Sequence, residues 1–168
     1  RSNRTVWVWG NSGYTRKNDP STLDRSVPRY VEELDNVKII DASKEFVAAV
    51  RNNNSIWGWG GNNYGQLGSN KTEEDIVISV PKSLGTIGSI QQISTGSGFV
   101  LALKSDGKLY AWGRNDYGQL GKGNRQNNSG KTVINDLDKV VSVSAGENHC
   151  FALKADGSLW GWGDNSHG

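Results

Sequence analysis

The chain has 168 residues and 35% hydrophobic content, which suits one domain with its own core. A net charge of +2, with no basic run beyond Arg16-Lys17, argues against nucleic acid as a partner, and no apolar run is long enough for a membrane-spanning helix. The single cysteine, Cys150, excludes an intrachain disulfide framework, and twenty-two glycines against three prolines suit an all-β chain rich in tight turns.

The first recognisable element, Trp7-Val8-Trp9-Gly10, recurs as Trp57-Gly58-Trp59-Gly60, Tyr110-Ala111-Trp112-Gly113 and Trp160-Gly161-Trp162-Gly163, at steps of 50, 53 and 50 residues. All seven tryptophans lie in these four boxes. A period near 50 predicts a propeller or a repeat array. The chain therefore reads as one repeat domain over 1–168, with periods at about 1–42, 43–95, 96–145 and a partial 146–168.

Strands are predicted at Val37–Ile40, Ile90–Ile93 and Val140–Val143, each followed by a hairpin. In the last hairpin Asp156-Gly157 reads as a two-residue turn with both positions at positive φ, which pairs Leu153 with Trp160 and Phe151 with Trp162. One face then carries these four residues, and the other carries Ala152 and Gly161. The same register pairs Leu103 with Tyr110 and Leu101 with Trp112 through Asp106-Gly107. Through Asn53-Asn54 it pairs Val50 with Trp57 and Ala48 with Trp59. Weaker strands follow near Tyr30-Val31, Ile76–Val80 and Thr132–Ile134. Four strands per period, without a helical stripe, predict four-stranded antiparallel propeller blades, about three in this chain.

No catalytic constellation emerges. His149 and Cys150 are neighbours on a predicted strand, so their side chains point to opposite faces. Two histidines and one cysteine do not make a metal site, and the Gly-Gln-Leu-Gly segments lack the glycine spacing and helix of a phosphate loop, so no cofactor is expected. Residues present in every copy serve the fold, and function is sought in what differs between copies. The differing segments are Tyr14–Arg29, Ser69–Asp75 and Lys122–Lys131, expected to cluster at one rim. The candidate binding residues are Tyr64, Glu73, Glu74, Asp75, Tyr117, Lys122, Arg125 and Lys131.

Two boxes are followed by Asn62-Asn63-Tyr64-Gly65-Gln66-Leu67-Gly68 and Asn115-Asp116-Tyr117-Gly118-Gln119-Leu120-Gly121. With the Ala-Leu-Lys-x-Asp-Gly hairpin and the Trp-Gly box, nearly the whole chain resembles the regulator of chromosome condensation repeat family. The resemblance implies a β-propeller, commonly seven-bladed, and a non-catalytic module binding a protein partner through its loop-rich rim. It also implies two alternatives, exchange-factor activity on a small GTPase or enzyme inhibition of the secreted β-lactamase-inhibitor type, and the Trp and Tyr residues, if exposed, offer a third, carbohydrate binding. The doubled tryptophans look more like bacterial members, which favours a secreted or cell-surface location while leaving the compartment open.

Three periods do not close a ring. The chain opens on Arg1 almost inside the first box and has no Met, which reads as a piece of a longer protein. The expectation is a fragment of a larger propeller, or a homodimer in which two copies join head to tail into six blades.

Overall fold

The computed structural model describes residues 4–10, 26–68 and 77–167. Thirteen strands form four antiparallel sheets, with no helix among the described residues. Strands β1 (Trp7–Val8) and β2 (Arg29–Tyr30) make a two-stranded sheet. Next come β3 (Val37–Ala42), β4 (Phe46–Arg51), β5 (Ile56–Gly61) and β6 (Val77–Gly85), in that spatial order. A second four-stranded meander contains β7 (Ile90–Thr95), β8 (Phe99–Lys104), β9 (Leu109–Gly113) and β10 (Asn128–Val133). The last sheet has three strands, β11 (Val140–Ala145), β12 (His149–Lys154) and β13 (Leu159–Gly163). These are propeller blades, as the period predicts.

The hairpin register differs from the expectation by one residue in all three copies. Leu153 lies opposite Leu159, Ala152 opposite Trp160 and Phe151 opposite Gly161. Likewise Leu103 pairs with Leu109 and Val100 with Trp112, while Val50 pairs with Ile56 and Val47 with Trp59. The cause is the turn. Lys154 donates its N–H to Ser158 O at 2.9 Å, and Gly157 donates to Lys154 O at 3.0 Å, enclosing a three-residue loop. Gly157 is left-handed (φ 84°) and Asp156 is not among the positive-φ residues. Asp156 instead accepts the Ser158 N–H on its carboxylate at 2.9 Å. This is a type I turn closed by a left-handed residue, not the two-residue primed turn. Asn54 (φ 65°) takes the left-handed place in the first hairpin.

A slip of one residue exchanges the faces of a strand. The tryptophans therefore share a face with small residues, and the leucines form the opposite face. Phe46, Ala48, Val50 and Ile56 pack against Val100, Ala102 and Trp112 of the next sheet. In turn Phe99, Leu101, Leu103 and Leu109 pack against Val140, Val143, Cys150, Ala152 and Trp162. Ala152 thus meets the preceding sheet, whereas Gly161 lies on the open face with Phe151.

The first strands of successive sheets are also tied to one another. Asp41 accepts from Thr95 N at 2.7 Å and Thr95 Oγ1 at 3.0 Å. Gln92 Nε2 donates to Val143 O at 2.8 Å, and Val143 N donates back to its Oε1 at 3.1 Å. Backbone groups at the sheet junction are thereby satisfied, as they are by Ser94 Oγ, which accepts from Ala145 N at 3.0 Å.

The box glycine lies at the close of the third strand, last in it at Gly113 and Gly163 and one residue short of the end at Gly60, with φ 107°, 104° and 102°. A Cβ on Gly113 would run into the Gly98 carbonyl and stand 2.8 Å from Phe99 Cα. Both left-handed strain and a backbone collision oppose any side chain here. Gly113→Ala should accordingly destabilise the fold by about 2 kcal/mol or more, read as a lower midpoint in urea unfolding.

Candidate protein-interaction rim

The loops after β5 and β9 are built by their own side chains. Asn62 Oδ1 accepts from Leu67 N and Asn115 Oδ1 from Leu120 N, both at 2.9 Å. Gln66 Oε1 accepts from Tyr64 N and Gln119 Oε1 from Tyr117 N, again both at 2.9 Å. The first Asn, the Gln and the Leu side chains are buried, while Tyr64 is half-buried beside the exposed Asn63, and Tyr117 is exposed beside the exposed Asp116. The box tryptophan of the following sheet locks each loop in place: Trp112 Nε1 donates to Gln66 O at 2.9 Å, and Trp162 Nε1 to Gln119 O at 2.8 Å. A buried N–H and a loop carbonyl satisfy each other across the sheet boundary.

Arg114 brings the two tyrosines together. Its guanidinium carbon lies 4.9 Å from the Tyr64 ring centre and 5.6 Å from that of Tyr117, within cation–π range of both. Its Nε donates to Asp116 Oδ2 at 2.7 Å, and its Nη1 reaches Asn148 Oδ1 at 3.4 Å. The hydrogen bond to Asp116 raises its pKa above the ordinary arginine value, while burial opposes the shift. Tyr64, Arg114 and Tyr117 thus form one ledge across two adjoining sheets. Arg114 is absent from the sequence-derived candidates. A signal was available, since the other copies carry Asn11, Gly61 and Asp164 at this position.

The other candidates are placed differently. Lys122 is half-buried and Arg125 exposed, both on the connection after Tyr117's loop. Asn115 Nδ2 holds that connection through Asn124 O at 2.9 Å and Gln126 O at 3.0 Å. Lys131 stands on β10 with its Nζ 5.6 Å from the Trp112 ring, and burial lowers its pKa. It packs on the sheet. Glu73, Glu74 and Asp75 lie outside the described residues, as does most of Tyr14–Arg29.

The paired boxes offer little stacking surface inside the array, because Trp59 and Trp112 are fully buried. Cys150 is buried too, with its Sγ 3.3 Å from Gln119 O, while His149 is exposed and edge-on to Phe151. Burial pushes the Cys150 thiol far above the ordinary cysteine range, because the thiolate would lose its hydration. The native thiol should therefore resist Ellman's reagent at pH 8 and react fully once guanidinium unfolds the chain. Rapid native labelling would show that the sheet interface opens.

The stacked sheets and their loop rim define a β-propeller repeat module. A model of the Regulator of chromosome condensation (RCC1) repeat matches residues 53–103 and 106–153, and a second model of that repeat matches 37–66, 90–119 and 140–168. The chain belongs to the RCC1 repeat family. It is 30% identical over 127 residues to the human E3 ubiquitin-protein ligase HERC2, covering 72% of this chain and 3% of that protein. The Ultraviolet-B receptor UVR8 of Arabidopsis thaliana is 34% identical over 122 residues, covering 70% of this chain and 27% of the receptor. The human X-linked retinitis pigmentosa GTPase regulator is 31% identical over 127 residues, covering 74% of this chain and 12% of the regulator. Yeast RCC1 (Prp20), solved with Kap60 bound, superposes with a TM-score of 0.81 at 28% identity, covering 95% of this chain and 40% of that one. The 168 residues thus span well under half the length of each of these proteins.

Proposed function

We propose that this chain is a non-catalytic protein-interaction module that binds a partner through the rim centred on Tyr64, Arg114 and Tyr117. The observation behind this reading is the cation–π ledge itself. Tyrosine and arginine are the side chains that most often dominate protein interfaces, and rigid support lowers the entropy lost on binding. The buried Asn and Gln hydrogen bonds provide that support. Lys122 and Arg125 would add flanking cations, Glu73, Glu74 and Asp75 acidic contacts, and Lys131 would act through packing. One relative, yeast Prp20, solved with Kap60 bound and also described with binding properties to Gsp1p and histones, agrees with a protein-binding role.

A second reading is exchange activity on a small GTPase, favoured by the relative named as a GTPase regulator. Release of labelled nucleotide from a panel of small GTPases tests it, and unchanged release rates would dismiss it.

For the rim, a photo-crosslinking residue replaces Tyr117, and a control carries it at Lys82 on the outer strand β6. Discrete adducts in native extract are expected from position 117 and not from 82. Arg114→Ala should weaken capture about tenfold, equivalent to ~1.4 kcal/mol. Its cost to stability should stay below about 1 kcal/mol, because the Asp116 ion pair is partly exposed. Adducts from both positions alike, or none, would remove the rim from consideration.

A further inference from the structure

We propose that Lys131 is a site of covalent acylation by small acyl phosphates, reacting ahead of Lys104 and Lys154 because of its seat in the seam between the two four-stranded sheets. Thr132 lies opposite Ala111 and Lys82 opposite Gly58, so Lys131 and Pro81, each one residue earlier, hold the same repeat position on their outer strands. Pro81 is buried. Lys131 thus fills an apolar place with its stem and leaves its ammonium half-buried at the seam's edge. That ammonium stands 5.6 Å from the Trp112 ring of its own sheet, and a Cβ on Gly68, in the loop of the preceding sheet, would lie 3.7 Å from it. Neither group carries a charge. Among the described residues Lys131 takes part in no ion pair.

Other lysines are seated in the opposite way. Lys104 Nζ donates to Asp106 Oδ2 and Lys154 Nζ to Asp138 Oδ1, both at 2.8 Å, and each bond raises the lysine's pKa above its ordinary value. Lys38 spends its ammonium on Asn54 Oδ1 at 2.6 Å and Ile90 O at 3.0 Å. At Lys131 burial lowers the pKa, because the ammonium loses hydration that an aromatic ring replaces only in part. The neutral amine is the nucleophile, so near pH 7 a larger fraction of Lys131 is ready to react. Its nitrogen attacks the carbonyl carbon of the acyl phosphate, and the new C–N bond replaces the C–O bond to the phosphate. Inorganic phosphate leaves with the electron pair, and the amine proton passes to water. The half-buried seat admits a small donor, and no carboxylate bonded there repels an anionic one.

Acetyl phosphate is applied at pH 7.5 to low extent, and acetylation is read at each lysine by peptide mass spectrometry. In the folded 168-residue chain Lys131 should react about fivefold faster than Lys104 and Lys154, or more, and in guanidinium the three should react alike. Gly68→Asp places a carboxylate beside the ammonium and should remove most of that advantage. Gly68→Asn, which carries the same left-handed backbone (φ 74°), should keep it. Equal rates in the folded chain, an advantage that survives unfolding, or the same loss from both substitutions would each overturn the proposal.

Discussion

Every sheet in this molecule depends on one contact: a face of leucine-type residues set against the tryptophan-bearing face of the sheet that follows. Leu101, Leu103 and Leu109 are dry because Ala152, Cys150 and Trp162 lie over them, and Trp112 is dry because it lies over Val50 and Ile56. Small residues opposite the tryptophans, such as Ala49 opposite Trp57 and Ala152 opposite Trp160, leave room for the rings and let the sheets approach. An isolated blade of this size would bury one face at most, so cohesion comes from stacking.

The same contact sets the geometry of the rim. Trp112 fills the space between sheets and also carries an indole N–H that ends on the carbonyl of Gln66. A core residue of one sheet thereby positions the loop of the sheet before it. Tyr64 is held at a place where Arg114 can stack on it, and packing deep in the array becomes a defined outer surface. The repeat thus separates its tasks: buried positions recur because the contact recurs, while the solvent side varies. Asn11, Gly61, Arg114 and Asp164 are four different answers at one position.

Much of this was legible in the residues. The 50-residue period, the three inner strands and the hairpins follow from spacing and β propensity, and the structure places β3, β7 and β11 where the alternating runs stand. The register was not legible, because Asp-Gly serves both a two-residue primed turn and a three-residue turn with one left-handed residue. The two differ by one residue in pairing, so Leu153 and Trp160 fall on opposite faces. Of the Tyr64, Arg114 and Tyr117 ledge, the two tyrosines stand among the candidates that the sequence offers. Arg114 does not, because it is a single substituted position inside an aligned segment, whereas the long connections also differ in length.

The order of strands, their period and the glycine at the close of each box were determined by the amino-acid sequence itself, since each rests on local sterics or on spacing along the chain. Which face each tryptophan takes, and the meeting of Tyr64 with Tyr117 across 53 residues of chain, were decided only by tertiary structure. Cross-sheet contacts depend on register, which Asp-Gly leaves open between two turn types, and on the twist of one sheet against the next.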